Sequence, residues 1–166
     1  MHLLPDGTTL LIFIGATLVL LVTPGPAVFY IVARSIDQGR LAGVVSTLGV
    51  AVGSCLHSAA AALGISALLA SSALAFNVVK LIGAAYLIYL GVRKFLVPDP
   101  VETDAVVARR RLREIFVQGF IVNVFNPKTA LFFLAFLPQF VDVAKGHVAL
   151  QIILLGVVFA SLGILS

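Results

Sequence analysis

LLIFIGATLVLLVTPGPAVFYIVA, residues 10–33, is the stretch that decides the fold. It holds no charged side chain and exceeds the roughly 20 apolar residues that cross a bilayer core as a helix. A soluble core helix would carry a polar stripe, and a membrane β-strand would alternate apolar and polar positions; this stretch does neither. Four more runs of the same kind follow, Leu41 to Ala70, Ala73 to Leu96, Ile115 to Val141, and one from near Val148 to Ser166. The expected fold is all-α, a polytopic membrane helix bundle with five spans in one transmembrane domain, residues 1–166.

Composition points the same way. The 166 residues are 61% hydrophobic and 11% charged, against about 45–50% and 25% in soluble domains, and mean hydropathy is +1.16. Eleven Lys+Arg and seven Asp+Glu are too few to cover a soluble globule, which argues against a soluble enzyme or a disordered tail. The net charge of +4 reads as a topology signal rather than a nucleic-acid site. Arg34 and Arg40 lie between the first two runs, and Arg93, Lys94, Arg109, Arg110, Arg111 and Arg113 flank or lie in the one long polar loop, residues 97–114. Lys145 falls on the other side. Cationic loops stay in the cytoplasm, so the N-terminus is expected outside. The leading Met1 to Asp6 lacks the cationic region of a cleaved signal peptide. A single cysteine, Cys55, gives no disulfide framework.

The first and fourth runs echo each other. In register, Pro24 meets Pro127, Ala27 meets Ala130, Phe29 meets Phe132 and Phe13 meets Phe116. The copies start three spans apart and so run in opposite directions. An inverted repeat results, about 8–96 and 115–166, the second incomplete. Inverted repeats with a broken helix in each half point to a transporter site near the midplane.

The breaks hold the candidate site. Pro24 and Pro26 flank Gly25 after Thr23; each proline removes an amide donor and frees the carbonyl four residues back, here those of Leu20 and Val22. Freed carbonyls in lipid must face protein, water or a ligand and suit a cation or ammonium group; a packed kink is the plain alternative. Asn126, Pro127 and Lys128 break the fourth run. An intramembrane lysine costs at least about 2.5 kcal/mol, and every acid lies in a loop or at a span end. A substrate carboxylate would supply the missing charge; a lysine neutralised by desolvation is the alternative. Asn123 shares a helical stripe with Gly119 and Asn126, as a substrate ligand or as interhelical glue. His57 follows Gly49 and Gly53 in steps of four; it suits proton coupling or packing. Asn77 and Lys80 share a face that fits a pathway, although Lys80 also fits snorkelling. Pro138 reads as a helix terminator, and Gln139 as an interface residue or gate.

The sequence contains no Ser/His/Asp arrangement, phosphate loop or paired intramembrane carboxylates, so no enzyme is read. No histidine or cysteine sits at metal-ligand spacing, and no cofactor is implied.

These motifs carry a resemblance. Thr23-Pro24-Gly25-Pro26, the Gly39 to Gly53 stretch leading to His57, Lys80 to Leu87 with Leu90-Gly91, and Phe116 and Gly119 through Asn123 and Asn126-Pro127-Lys128 to Pro138-Gln139-Phe140 resemble the LysE/RhtB family of bacterial amino-acid exporters. The resemblance covers nearly the whole chain. It implies an inner-membrane exporter driven by proton exchange, and a sixth span beyond the fifth run. The first expectation is therefore secondary-active export of a small amino acid or close analogue. Lys128 and Asn126 would hold the carboxylate, Thr23 to Pro26 the amino end, and His57 or Lys128 the coupling proton. A metal-cation exporter of the same fold, and a non-transporting fragment or scaffold, are the alternatives. Expected partners are the substrate and the lipid bilayer, with no nucleic acid; the packing glycines allow a homo-oligomer without requiring one.

Overall fold

The structure, a computed structural model, describes residues 5–72, 74, 77, 78, 81, 82, 85, 88, 89, 92, 96 and 110–165, with only the backbone described at 68–71. Helix α1 is Gly7–Val22. Asp6 caps it, accepting from the Thr9 amide at 3.1 Å and the Thr9 hydroxyl at 2.8 Å. These two bonds hold the Asp6 carboxyl below its ordinary pKa, so the cap persists at neutral pH and is lost only as pH falls through that lowered value.

The chain breaks at Thr23 to Gly25 and resumes as α2, Pro26–Gln38, bent by 57° from α1. Pro26 opens α2, where its missing amide costs nothing. Gly39, at φ 83°, turns the chain directly into α3, Arg40–Ser71. Only glycine takes this backbone region without strain. The expected loop from Arg34 to Arg40 is thus one residue long. Arg34 belongs to α2 and is buried, because a turn as tight as Gly39 needs no longer connection.

The third expected span, Ala73 to Leu96, lies outside the described residues except for isolated helical positions such as Asn77, which is exposed; Lys80 lies outside them. Helix α4, Leu112–Val124, ends at a second break. Asn126 caps α5, Pro127–Leu131, which widens into a π-helical turn at Phe132–Phe136 and tightens into a 3-10 turn at Leu137–Phe140. This pair bends by 52°. Pro138 sits inside the 3-10 turn, so regular α geometry has already ended at Leu131 and Pro138 does not terminate it. Pro26 and Pro127 both occupy the first turn of a restarted helix. By position in the helix, then, Pro127 corresponds to Pro26, two residues from the register in which it meets Pro24.

Helix α6, Val148–Leu165, follows a short loop. The buried Gln151 side chain ties that loop down, accepting from the Asp142 amide and donating to the Asp142 and Gly146 carbonyls. Among the described residues, α3 and α6 are each long and apolar enough to span a membrane, and the two bent pairs bring the number to four if each is one span. Leu11, Val22, Ile36 and Leu63 are largely exposed, as lipid-facing side chains are. The fold is a polytopic helical membrane protein.

Helix α3 is the central post, packed against α2, α4 and α6. Glycine sets its closest approaches. A Cβ on Gly49 would lie 2.2 Å from the Phe116 carbonyl oxygen, and one on Gly119 would lie 2.7 Å from the Ser46 carbonyl oxygen. Small residues allow this contact where the hydrophobic effect cannot hold helices together. At one end, Phe13, Phe132, Phe133, Phe140 and Phe159 fill the core with Leu137, Ile152 and Leu155. The Phe132 and Phe133 rings lie 4.9 and 5.0 Å from that of Phe159.

A methyl group at position 49 should force α3 and α4 apart. Gly49→Ala is expected to cost about 1–3 kcal/mol, as overpacking does, lowering the thermal unfolding midpoint in detergent. Gly15→Ala, where nothing lies within 4 Å, should leave the midpoint unchanged; equal midpoints for both variants would overturn the close-packing account.

Candidate functional site

The two breaks meet. Lys128, at the start of α5, extends its side chain past Gly25. Its ammonium donates to the Leu20 carbonyl and, at 2.7 Å, to the Thr23 carbonyl. Leu20 is open because Pro24 has no amide to give it. Thr23 is open because Gly25, at φ −158° and ψ 177°, takes the chain out of the helix. The expected free carbonyl at Leu20 is therefore present and already occupied, and Thr23 rather than Val22 provides the second. The carbonyls lie at the C-terminal end of α1, where the helix dipole favours a cation. The Thr23 hydroxyl turns back to the Val19 carbonyl at 2.6 Å and closes the last turn.

Around this contact lies a cavity of about 90 Å³. Its polar wall is Lys128, Asn126, Asn123, Thr129, Ser54 and Thr47; the rest is aliphatic or aromatic, including Leu20, Val28, Ile31 and Phe159. Among the described residues no acid lines it. The first turn of α2 has no side-chain cap, and its residues Ala27 and Val28 lie on the cavity wall. The broken helix thus sets the C-terminal carbonyls of α1 and the first turn of α2 on either side of one gap.

Asn126 is buried, and its Oδ1 accepts from the Lys128 amide at 3.1 Å. The cap fixes the orientation of a side chain that lines the cavity. Asn123 is committed more fully. Its Nδ2 donates to the Val50 carbonyl at 2.7 Å and the Ser54 hydroxyl at 2.9 Å, and its Oδ1 accepts from the Thr129 hydroxyl at 2.9 Å. Asn123 therefore ties α3, α4 and α5 together. The Gly49, Gly53 and His57 stripe does face another helix, α4: a Cβ on Gly53 would lie 2.9 Å from the Asn123 Cβ.

His57 is half-buried and away from the cavity wall. Its Nε2 lies 3.1 Å from the Asn123 carbonyl oxygen. A carbonyl only accepts, so Nε2 carries the hydrogen. The ring stacks on Phe133 at 6.0 Å. Gln139 is exposed and donates to the Ala135 carbonyl of its own segment, apart from the other candidates.

Sequence reading missed a second polar cluster. Arg34 is only 5% exposed. Its guanidinium donates to Gln118 at 3.0 Å and Gln38 at 3.3 Å, lies 4.0 Å from Asp37 and stands over the Tyr30 ring. The Tyr30 hydroxyl donates to the Ile115 carbonyl at 2.8 Å. Gln38 pairs with both backbone groups of Arg110, at 2.8 and 2.9 Å. Tyr30, Arg34 and Gln38 recur every fourth residue, a stripe that would have shown them on one face of α2.

A bundle of apolar helices in which two broken spans meet around a polar cavity is the architecture of a multi-pass membrane transporter. The chain belongs to the LysE type translocator family, whose family model matches residues 18–165; it is a transporter and not an enzyme. It is similar to the uncharacterized membrane protein YrhP of Bacillus subtilis, 31% identical over 95% of this chain and 79% of that protein. A leucine efflux protein of Salmonella typhimurium is 30% identical over 86% of this chain and 67% of its own length. An uncharacterized membrane protein of Vibrio cholerae is 29% identical over 82% and 67% respectively. No solved structure matches the chain.

Replacing Asn123 by leucine removes the partner of the Thr129 hydroxyl. Leaving a buried polar group unpaired costs about 1–3 kcal/mol, so Asn123→Leu should melt earlier than the parent by circular dichroism. Gln139→Ala should not; a parent-like melting curve for Asn123→Leu would remove the asparagine from its tying role.

Proposed function

We propose that the protein exports a neutral, aliphatic amino acid from the cytoplasm by secondary transport across the inner membrane, with its N-terminus outside. The observation that carries this reading is the meeting of the two helix breaks at Lys128, beside a cavity whose remaining wall is apolar and free of acids among the described residues. A basic substrate side chain would need an acid there, and an aliphatic one needs only the apolar wall. The similarity to a leucine efflux protein supports the same class. Lys128 and the Asn126 Nδ2 would hold the carboxylate, and the segment Thr23 to Pro26 would take the amino end.

The cavity, at about 90 Å³, is smaller than the roughly 150 Å³ that admits benzene. It fits the amino and carboxylate groups, and the site must widen to take the side chain. The bends at the two breaks are where such movement costs least, because the helical hydrogen bonds are already interrupted there.

Proton coupling is assigned to His57 or Lys128. His57 acts from outside the cavity wall, through the Asn123 carbonyl at the end of α4.

The test loads cells with a leucine dipeptide and follows leucine release. The parent chain should release leucine faster than empty-vector cells, and Lys128→Ala should lose at least about tenfold of that increment, in keeping with the loss of a charge-assisted bond. Equal release by the two chains would sink the Lys128 assignment. His57→Gln keeps a donor for the Asn123 carbonyl, and should keep leucine exchange while losing its response to an imposed pH gradient.

A further inference from the structure

We infer that Lys128 is a tethered competitor for the substrate's ammonium group: its own ammonium fills the ammonium site of the empty carrier, and the substrate must displace it. This rests on the amino-acid reading above and deepens it.

Three observations lead there. First, two contacts of the Lys128 ammonium are with backbone: the Leu20 and Thr23 carbonyls accept from it. These are the carbonyls that the proline break sets free; together they cage the ammonium, and Leu20 and Lys128 both line the cavity, while Thr23 lies behind its wall. Second, an amino acid's ammonium has the same charge and the same three donors as the lysine head, so whatever binds one binds the other. The cage cannot hold both, since two ammonium groups on the same carbonyls would repel. Third, Lys128 lines the cavity on an aliphatic stem that lies against Gly25, where a Cβ would be 3.5 Å from its Cδ. The absence of a side chain at Gly25 leaves the stem room to swing.

The exchange keeps charge balanced. When a zwitterion enters, its ammonium takes the carbonyls and its carboxylate receives the displaced Lys128 together with the Asn126 Nδ2. The lysine thereby gives up the two carbonyls and gains an anion. In the empty carrier the same lysine restores the cage, so the carbonyls are never left bare in the membrane. A ligand with an ammonium but no carboxylate would evict Lys128 and give it nothing in return. A ligand with a carboxylate but no ammonium would find Lys128 still held. The cage therefore selects for both groups together, without any acidic side chain.

The probe is 3-methylbutylamine, which is leucine without its carboxylate, with binding read by thermal shift and by radiolabelled equilibrium binding on purified protein. The parent chain should bind it weakly. Lys128→Met, which keeps the stem length and removes the competitor, should bind it at least tenfold more tightly. In a Cys55→Ala background, which removes the exposed native thiol, Lys128→Cys should behave like Lys128→Met until alkylated with 2-bromoethylamine, which rebuilds an ammonium side chain; alkylation should then return amine binding to the parent level. That reversal separates competition from misfolding. If amine binding is equally weak in the parent, in a folded Lys128→Met and in Lys128→Cys before and after alkylation, the competitor role is overturned, while Lys128-dependent leucine release would leave the export reading standing. If the parent releases no neutral amino acid yet the amine comparison comes out as expected, the export reading fails and the cage remains a cation site filled by Lys128.

Discussion

A backbone carbonyl in hydrocarbon must find a donor, and the rest of this structure is arranged around one place where the helix cannot supply it. Pro24 takes the donor from Leu20, and the extended backbone at Gly25 takes it from Thr23. Lys128 replaces both. An intramembrane ammonium and bare carbonyls are each costly alone, so each side of the contact lowers the other's penalty. The position of Lys128 depends in turn on the second break, where Asn126 caps α5 and sets the lysine at its first turn. The two breaks are thus one structural unit, although they lie far apart in sequence.

Around that unit the molecule divides into a close-packed frame and a looser pair of bends. Helices α3 and α4 touch through glycine, near enough that backbone meets backbone at Gly49 and Gly119. Gly156 brings α6 equally close to Ser58 on α3. Asn123 binds α3 and α5 to α4 by side-chain bonds that leave little spare capacity. The bends at 57° and 52° lie beside this frame. Helical hydrogen bonding is interrupted at both breaks, while α3 is packed against α2, α4 and α6. The π-helical turn at Phe132–Phe136, directly after α5, is a second place where helical bonding is already irregular.

Much of this was legible in the residues. Apolar run length gave α3 to within a residue or so, because Arg40 and Ser71 bound it, and gave α6 from Val148. Pro24, Pro26 and Pro127 marked the breaks, since a missing amide acts locally whatever packs nearby. The Gly49, Gly53 and His57 spacing identified a helix-facing stripe. What periodicity could not give was the partner. Nothing local to Lys128 says that carbonyls at Leu20 and Thr23 accept from it, because those carbonyls belong to a different span. Arg34 was read as a loop cation because arginine near an apolar run usually is; its burial depends on Gln118 and Gln38, which only the fold brings to it. Gln151 had no distinguishing pattern at all, since its role is to hold the backbone of a loop.

The span of chain between the two breaks bears on how the protein is made. Leu20 and Thr23 leave the ribosome long before Lys128, more than a hundred residues later in both contacts. During that interval the first break has no permanent donor. The nascent segment must keep its open carbonyls in water, in the translocon or at the membrane surface until α5 and its Lys128 arrive. Insertion of the first span and completion of its bend are therefore separate events in biosynthesis, and the second waits on translation.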